Sequence, residues 1–211
     1  MEIKRQTGLS YQSALFMMHR IRLAMAEDPA TPPKLTGTVE VDETFVGGKP
    51  RNKHGRGKIG PFQKAPVMVL VERGGAARAF PIDRVTSFNL QQAIRQNVAP
   101  SARIMTDSYK GYPGVGVQFA GGHHSVNHSQ GEYVRGDVHS NTAESFFAIF
   151  KRGLTGVYHS VSRHHLHRYA SEFAFRYTNR KMDDGARTAL AIRKAQGKRL
   201  IYRASVRKKP A

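Results

Sequence analysis

Three acidic residues of this 211-residue chain lie where carboxylates can do chemistry. Asp42 follows the apolar run TVEV and Asp107 follows RIMT, so each is predicted to end a strand. Glu144 lies in NTAESFFAIFKRGL, which has the periodicity of a helix. Mg²⁺ prefers carboxylate oxygens, and two such ions about 3.5–4 Å apart promote phosphoryl transfer. The three acids therefore predict a two-metal site; alternatively, Glu144 is a solvated helix acid and Asp107 a turn residue.

Each acid has a predicted place around the metals. Asp42 suits the bridge between two ions because a rigid central strand positions groups accurately. Asp107 would be the second ligand, and Glu144 would reach across from its helix. The helix face expected to carry the ligand consists of Asn141, Glu144, Ala148 and Lys151. The face expected to pack on a sheet consists of Phe146, Ile149 and Phe150.

Basic residues close to these acids predict contacts with phosphate. Lys151 follows Glu144 by two helical turns, and Arg152 extends the basic edge. A Gly-rich segment at 47–60 is interpreted as a phosphate-contacting loop, the alternative being a solvated insertion. Its basic residues are Lys49, Arg51, Lys53, Arg56 and Lys58. Asn141 and His139 are candidate neighbours of the active site.

Other acids compete with the three. Glu40, Asp42 and Glu43 lie together in one apolar stretch and raise a question, because a buried carboxylate is costly unless it is paired or holds a metal. Either the strand ends at the surface with these acids solvated, or the acids hold something. Glu43 adjoins Asp42 and is predicted to point to the opposite side of the strand. Asp137 is a weaker candidate ligand, and Asp83 is predicted to be structural.

Hydrophobic periodicity predicts an α/β fold. After the strand that carries Asp42, residues 65–83 predict two strands joined across Gly74-Gly75. Helix, strand, strand and helix follow at 86–98, 102–107, 123–129 and 141–154. Two more helices are predicted at 163–180 and 183–196. This order indicates a mixed sheet with helices packed on it.

Both ends of the chain look separate from this sheet. Residues 1–28 are predicted helical, either as the back half of a helix-turn-helix with Ser10 as N-cap or as a plain amphipathic helix packing on the main domain. The predicted apolar face is Ala14, Leu15, Met18, Ile21 and Met25. Residues 29–36 are predicted as a linker, 37–182 as the main domain, and 183–211 as a C-terminal helix and basic tail.

The composition narrows the class of protein. A formal charge of +19 favours a polyanionic partner, first of all nucleic acid; a ribosome-type basic protein without chemistry is the alternative. The chain has no cysteine, which excludes a disulfide framework and a thiolate-rich zinc site within it. No apolar run is long enough for a membrane span, and the first residues lack a signal-peptide core. We therefore expect a cytoplasmic protein.

Three blocks together resemble one family. They are VEVDETFVGG, MTDSYKGY and HSNTAESFFAIFKRGLTGVYHSVSRHHLHRYASEFAFRYTNR. They resemble the catalytic core of DDE-type bacterial insertion-sequence transposases, over about residues 10–182. The closest likeness is to the subgroup whose core follows a zinc ribbon and a helix-turn-helix. The resemblance implies a ribonuclease-H-like fold for residues 37–182 and a triad of Asp42, Asp107 and Glu144 that depends on Mg²⁺ or Mn²⁺.

The resemblance also implies an activity and partners. It implies DNA strand cleavage by water and then attack of a 3′-hydroxyl on target DNA. It further implies a nucleoid-associated homo-oligomer on paired transposon ends. Two alternatives remain: a ribonuclease-H-like nuclease or resolvase with the same triad, and a truncated transposon remnant that only binds DNA. Without a zinc ribbon or a full first helix of the helix-turn-helix, this chain by itself is expected to bind transposon ends weakly.

Overall fold

The computed structural model describes residues 2–27, 33–47, 64–107, 111–112, 114–127, 130–132 and 134–201. The chain divides into two compact units, one made of residues 1–26 and 182–211 and the other of residues 27–181. None of the helices formed by the described residues combines the length and the apolar character that a membrane span requires.

The described residues of the larger unit form a five-stranded mixed sheet. Its strands are β1 (Thr38–Val46), β2 (Ala65–Glu72), β3 (Ala77–Pro81), β4 (Arg103–Asp107) and β5 (His123–Val126). Their order is β3-β2-β1-β4-β5. Strands β1, β2 and β3 are antiparallel neighbours, whereas β4 runs parallel to β1 and β5 parallel to β4. The mixed sheet confirms the predicted α/β class, and β2 and β3 form the predicted hairpin.

Helices cover this sheet and make up the smaller unit. They are α1 (Glu2–Thr7), α2 (Tyr11–Met25), α3 (Ser87–Asn97), α4 (Asn141–Gly153), α5 (Leu166–Thr178) and α6 (Asp184–Arg193). Helix α3 begins after Thr86, whose hydroxyl accepts a hydrogen bond from the backbone N–H of Asn89, as a capping threonine should. Helix α4 has no such cap, because the side chain of Ser140 makes no capping hydrogen bond.

Both faces of the sheet carry a hydrophobic core, which explains why β2 is a continuous apolar run. On one face, Val69 of β2 lies in a cluster with Phe146 and Phe150 of α4. On the other face, Leu70 lies in a cluster with Ile94 of α3. Helices α4 and α3 therefore pack on opposite sides of the sheet.

Alternation along β1 decides which acids face α4. Val39 and Val41 belong to the core cluster on the α3 side. Since successive side chains of a strand point to opposite faces, Glu40 and Asp42 lie on the α4 side. Glu43 lies on the α3 side, as the sequence predicts.

The end of α4 is defined by its approach to α5. A Cβ atom on Gly153 would lie 2.2 Å from Cζ of Phe173, so only glycine permits this packing. A π-helical turn, Leu154–Tyr158, follows directly. Close packing at Gly153 thus fixes the last turn of α4 in the larger unit.

The predicted packing face of α4 needs one correction. Phe146 and Phe150 are buried as expected, but Ile149 is 51% exposed. Phe147 is buried instead. The buried stripe runs through positions 143, 146, 147, 150 and 154, at the i, i+3, i+4 spacing of one helix face, and residue 149 falls outside it.

The smaller unit contains α1, α2 and α6. Ser10 caps α2 by accepting a hydrogen bond from the backbone N–H of Ser13, which agrees with its predicted role. The predicted apolar face of α2 is wrong in part, because Ile21 is exposed while His19 and Arg22 are buried. Its helix-turn-helix character stays a prediction.

Candidate active site

Two of the predicted ligands lie on neighbouring parallel strands. Asp107 ends β4 as predicted, but the prediction that Asp42 ends its strand is wrong, because β1 continues to Val46. Strands β1 and β4 pair in register from Thr38 with Arg103 to Glu40 with Met105. Continuing that register by two residues on each strand brings Asp42 abreast of Asp107, the last residue of β4. The carboxyl ends of parallel strands are where open α/β sheets place ligand sites. Pairing of these strands thus brings two acids together across 65 residues of sequence.

The third acid, Glu144, is coupled to Asp42 through its charge. The pKa of Asp42 is raised to about 7, mostly by burial and in smaller part by the negative charges of Asp107, Glu43 and Glu144. The backbone N–H of Glu43 donates to Oδ1 of Asp42 at 2.7 Å and acts in the opposite direction. Asp107 and Glu144 therefore lie close enough for their charges to act on Asp42.

Glu144 lies in the first turn of α4 and is exposed. Asn141, Ala148 and Lys151 are exposed as well, in agreement with the predicted polar face. Since α4 packs on β1 and β2, its first turn is held next to the strand that carries Asp42. The polar face of α4 thus begins beside the two aspartates.

A fully buried carboxylate, Glu40, connects β1 to the beginning of α4. Its Oε2 accepts hydrogen bonds from the backbone N–H groups of Thr142, at 2.7 Å, and of Ala143, at 3.1 Å. Its Oε1 accepts from the Thr142 hydroxyl at 2.9 Å and from Nε of Arg73 at 2.6 Å. Nδ1 of His139 lies 3.3 Å from the same oxygen. Glu40 therefore supplies the cap that Ser140 does not.

Arg73 extends this network to the segment that leads into α4. Its guanidinium also donates to the backbone carbonyls of Asp137, at 2.7 Å, and His139, at 3.0 Å. The Asp137 side chain forms an ion pair with Arg103, which holds the pKa of that carboxyl below its usual range. Asp137, considered from sequence as a weaker ligand candidate, thus pairs with the guanidinium of Arg103.

Glu43 belongs to the other side of the sheet. The hydroxyl of the buried Tyr112 donates to Oε2 of Glu43. Burial raises the pKa of Glu43, and the charge of Asp107 adds to that effect, while the hydrogen bond from Tyr112 opposes it. Glu43 is therefore a neighbour of the acidic site rather than a member of the α4-facing group.

The donor set has the chemistry of a hard-cation site. Carboxylate oxygens are the protein ligands that Mg²⁺ and Mn²⁺ prefer. Within the described ranges, no three or more His, Cys, Asp or Glu side chains are drawn together as a ready metal site. Like-charged carboxylates repel one another, and one Asp42 oxygen is engaged by the Glu43 N–H. The residues fit such a cation by type and by their electrostatic coupling.

The predicted phosphate contacts fall in two groups. Lys151 and Arg152 are exposed in the last turn of α4, and the ammonium of Lys151 lies 5.9 Å from the ring centre of Phe147. The other group, Lys49, Arg51, Lys53, Arg56 and Lys58, lies outside the described residues. Of the candidate neighbours, His139 faces Glu40, whereas Asn141 is exposed at the start of α4.

Sequence reasoning missed the role of Glu40 and Arg73. One signal was present: Glu40 stands between Val39 and Val41, and a carboxylate inside an apolar strand requires partners. Nothing in the sequence identified those partners, because Arg73 and Thr142 are 33 and 102 residues away.

Comparison with known proteins places the chain in a family. Residues 34–178 match the model of the ISXO2-like transposase domain. The chain is 29% identical over 189 residues to a protein of Halobacterium salinarum described as an uncharacterized protein in transposable element ISH50. That alignment covers 83% of this chain, and the chain spans 63% of the length of the relative. The matched region contains β1, β4 and α4 with all three acids, and the chain belongs to the family of ISXO2-like transposase domains.

Proposed function

We propose that this chain is a DDE transposase that cleaves DNA strands and transfers the ends of an insertion sequence to target DNA. The observation that carries the proposal is the electrostatic coupling of Asp42 to Asp107 and Glu144. A carboxylate whose pKa is raised by two other carboxylates is a place where a bound cation removes repulsion. Membership of a transposase family supplies the substrate, DNA.

Asp42, Asp107 and Glu144 would hold Mg²⁺ or Mn²⁺, with two ions in the active form. When bound, such ions activate the attacking oxygen and stabilise the leaving one. Asp42 lies on the central strand, and the charges of both other acids raise its pKa, so it would be the central ligand of such a site. Residues on β1 and β4 give this site a rigid base.

DNA would be held by the basic surface of the chain, whose formal charge is +19. Lys151 and Arg152 share the exposed side of α4 with Glu144 and would contact phosphate next to the reacting one. We further propose that the protein acts as a homo-oligomer on paired ends, because two ends must be joined to one target.

The test compares three isosteric variants in two assays. Asp42→Asn, Asp107→Asn and Glu144→Gln keep side-chain shape and remove the charge that a metal needs. Each should lower Mn²⁺-dependent nicking of supercoiled plasmid, and joining of a labelled terminal duplex to plasmid, by at least about a thousandfold. DNA affinity should change little. Asp83→Asn, an exposed acid of the same unit, is the matched control and should retain activity.

The outcomes separate the alternatives. Full activity in any of the three variants would remove that residue from the site. Nicking without joining would favour a nuclease or resolvase. DNA binding with no metal-dependent cleavage would favour a remnant that only binds DNA.

A further inference from the structure

We infer that Glu40 is a positioning residue of the proposed active site, because it fixes the first turn of α4, and with it Glu144, against the strand that carries Asp42. The inference rests on the proposed function for the identity of the site. It concerns a residue that touches neither metal nor DNA in that proposal.

The first part of the geometry is the helix terminus. The first N–H groups of an α-helix have no partner within the helix, and a side chain usually supplies one from the preceding residue. In α4 the side chain of Ser140 makes no such bond. The N–H groups of Thr142 and Ala143 donate instead to Oε2 of Glu40, from a different element of the fold. A negative charge at this end of the helix also matches the helix dipole.

The second part is the spacing along both elements. Glu40 lies two residues before Asp42 on the same face of β1. Glu144 is the next residue after Ala143, whose N–H is bound to Glu40. Two hydrogen bonds of 2.7 and 3.1 Å therefore connect the immediate neighbourhoods of two proposed ligands.

The third part is the counterion. Glu40 is fully buried, and Arg73 pairs with it at 2.6 Å. The same guanidinium binds the carbonyls of Asp137 and His139, which lead into α4. A buried charge that is both paired and fully hydrogen-bonded holds its partners in one geometry, since any shift would leave it unsatisfied. Glu40 and Arg73 thus fix the approach to α4 as well as its first turn.

The decisive variant is Glu40→Gln, which keeps the shape but removes the charge and turns one acceptor into a donor. Amide hydrogen exchange in the first turn of α4 should become at least about tenfold faster. Binding of Mn²⁺ alone, measured by electron paramagnetic resonance, should weaken by about 10- to 100-fold, the range seen when groups that orient metal ligands are removed. In plasmid nicking, kcat should fall while DNA affinity stays unchanged.

A milder pair covers the case in which Glu40→Gln does not fold. Thr142→Val removes only the hydroxyl that donates to Glu40 at 2.9 Å, and Thr142→Ser retains that donor. Thr142→Val should weaken Mn²⁺ binding several-fold, whereas Thr142→Ser should bind Mn²⁺ as tightly as the wild type. A role in general stability alone predicts that Thr142→Val lowers the melting temperature and leaves Mn²⁺ affinity unchanged.

Glu172→Gln is the matched control. Glu172 is also a buried carboxylate of the larger unit, but its oxygens accept from the Tyr158 hydroxyl at 2.9 and 3.1 Å, away from the first turn of α4. Its replacement should lower the melting temperature and leave Mn²⁺ affinity unchanged.

Two results would overturn the inference. One is a folded Glu40→Gln protein with unchanged exchange in α4 and unchanged Mn²⁺ affinity; the other is equal Mn²⁺ affinity in the two Thr142 variants. Failure of the proposed function has a different signature: Asp42→Asn, Asp107→Asn and Glu144→Gln would then leave Mn²⁺ affinity unaltered.

Discussion

Glu40 and Asp42 lie two residues apart on the same face of β1, yet their surroundings are opposite. Glu40 is fully buried among donors and the guanidinium of Arg73. Asp42 lies among acids, and its pKa is raised to about 7 by burial and by three other carboxylates. Oδ1 of Asp42 accepts a hydrogen bond from the backbone N–H of its neighbour Glu43 at 2.7 Å.

The charge of Glu40 therefore stabilises the folded chain, whereas the charges of Asp42 and its acidic neighbours destabilise it. Glu40 satisfies a helix terminus and a buried cation, so its charge stabilises the folded chain. The charge of Asp42 is repelled by its neighbours, and a cation would be needed to remove that repulsion. The fold thus places a stabilised acid two residues before a destabilised one, and we expect replacement of the two to have opposite effects on the free energy of unfolding.

The largest expected effect is on activity. Asp42→Asn should lower metal-dependent cleavage by at least about a thousandfold, because an amide cannot replace a charged ligand. It should not lower the free energy of unfolding in the presence of EDTA, since it removes a repelled charge. Glu40→Gln should lower both quantities. Cleavage assays and urea denaturation on the same preparations compare the two variants. Equal losses of stability in Asp42→Asn and Glu40→Gln would contradict the prediction.

Next in size is the stability carried by Arg73. Arg73→Met would leave the fully buried Glu40 without its cation and should lower the free energy of unfolding by about 3–5 kcal/mol. Arg103→Met breaks an ion pair in which the Asp137 side chain is 64% exposed, and it should lower the free energy of unfolding far less, because water screens exposed charges. Urea denaturation of the two variants at pH 7 measures the difference. Equal losses would show that burial of Glu40 is not what makes its pair important.

The opposite end of α4 offers a test without charges. Gly153→Ala should lower the free energy of unfolding by about 1–3 kcal/mol, because the added methyl group would meet the ring of Phe173. Gly156→Ala meets nothing within 4 Å and should be neutral or slightly stabilising. Thermal unfolding of both proteins checks this. If α4 is held at both ends, Gly153→Ala should also weaken Mn²⁺ binding, though less than Glu40→Gln does.

The smallest effect is the pH dependence of Asp42. Its pKa in the folded chain is about 7 and its ordinary value is 3.8, so the folded state binds this proton more tightly than the unfolded state. The contribution of Asp42 to stability therefore falls as pH rises from about 4 to 7 and stays low above that range. In EDTA, the free energy of unfolding of Asp42→Asn should exceed that of the wild type by about 1–2 kcal/mol at pH 8. Near pH 4 the two free energies should be equal.

Mn²⁺ reverses that comparison. Saturating Mn²⁺ at pH 8 should stabilise the wild type by about 2–3 kcal/mol at a hundredfold excess over Kd, and Asp42→Asn much less. Melting curves with and without the metal measure this. If the free energy of unfolding of Asp42→Asn in EDTA depended on pH in the same way as that of the wild type, Asp42 would not titrate as described.

Much of the fold was predictable because its signals are local. The hairpin across Gly74-Gly75 and the periodic helices follow from residues within a few positions of one another. Asp42 and Asp107 were predicted at strand ends because each follows a short apolar run. Their use as metal ligands, with Glu144, was predicted from the positions of the acids and from the family resemblance, and it stays a prediction.

The sequence by itself determined which segments become strands and helices and that Asp107 ends its strand, because propensity and alternation act over short distances. It placed the end of β1 four residues too early, at Asp42 instead of Val46. Only the tertiary structure decided that Ile149 faces outward while Phe147 is buried, since that depends on how α4 lies on the sheet. It alone also paired Glu40 with Arg73 and Thr142, from 33 and 102 residues away. A carboxylate inside an apolar strand indicates in the sequence that partners are needed. The antiparallel pairing of β1 with β2 and the packing of α4 on the sheet decide which residues those partners are.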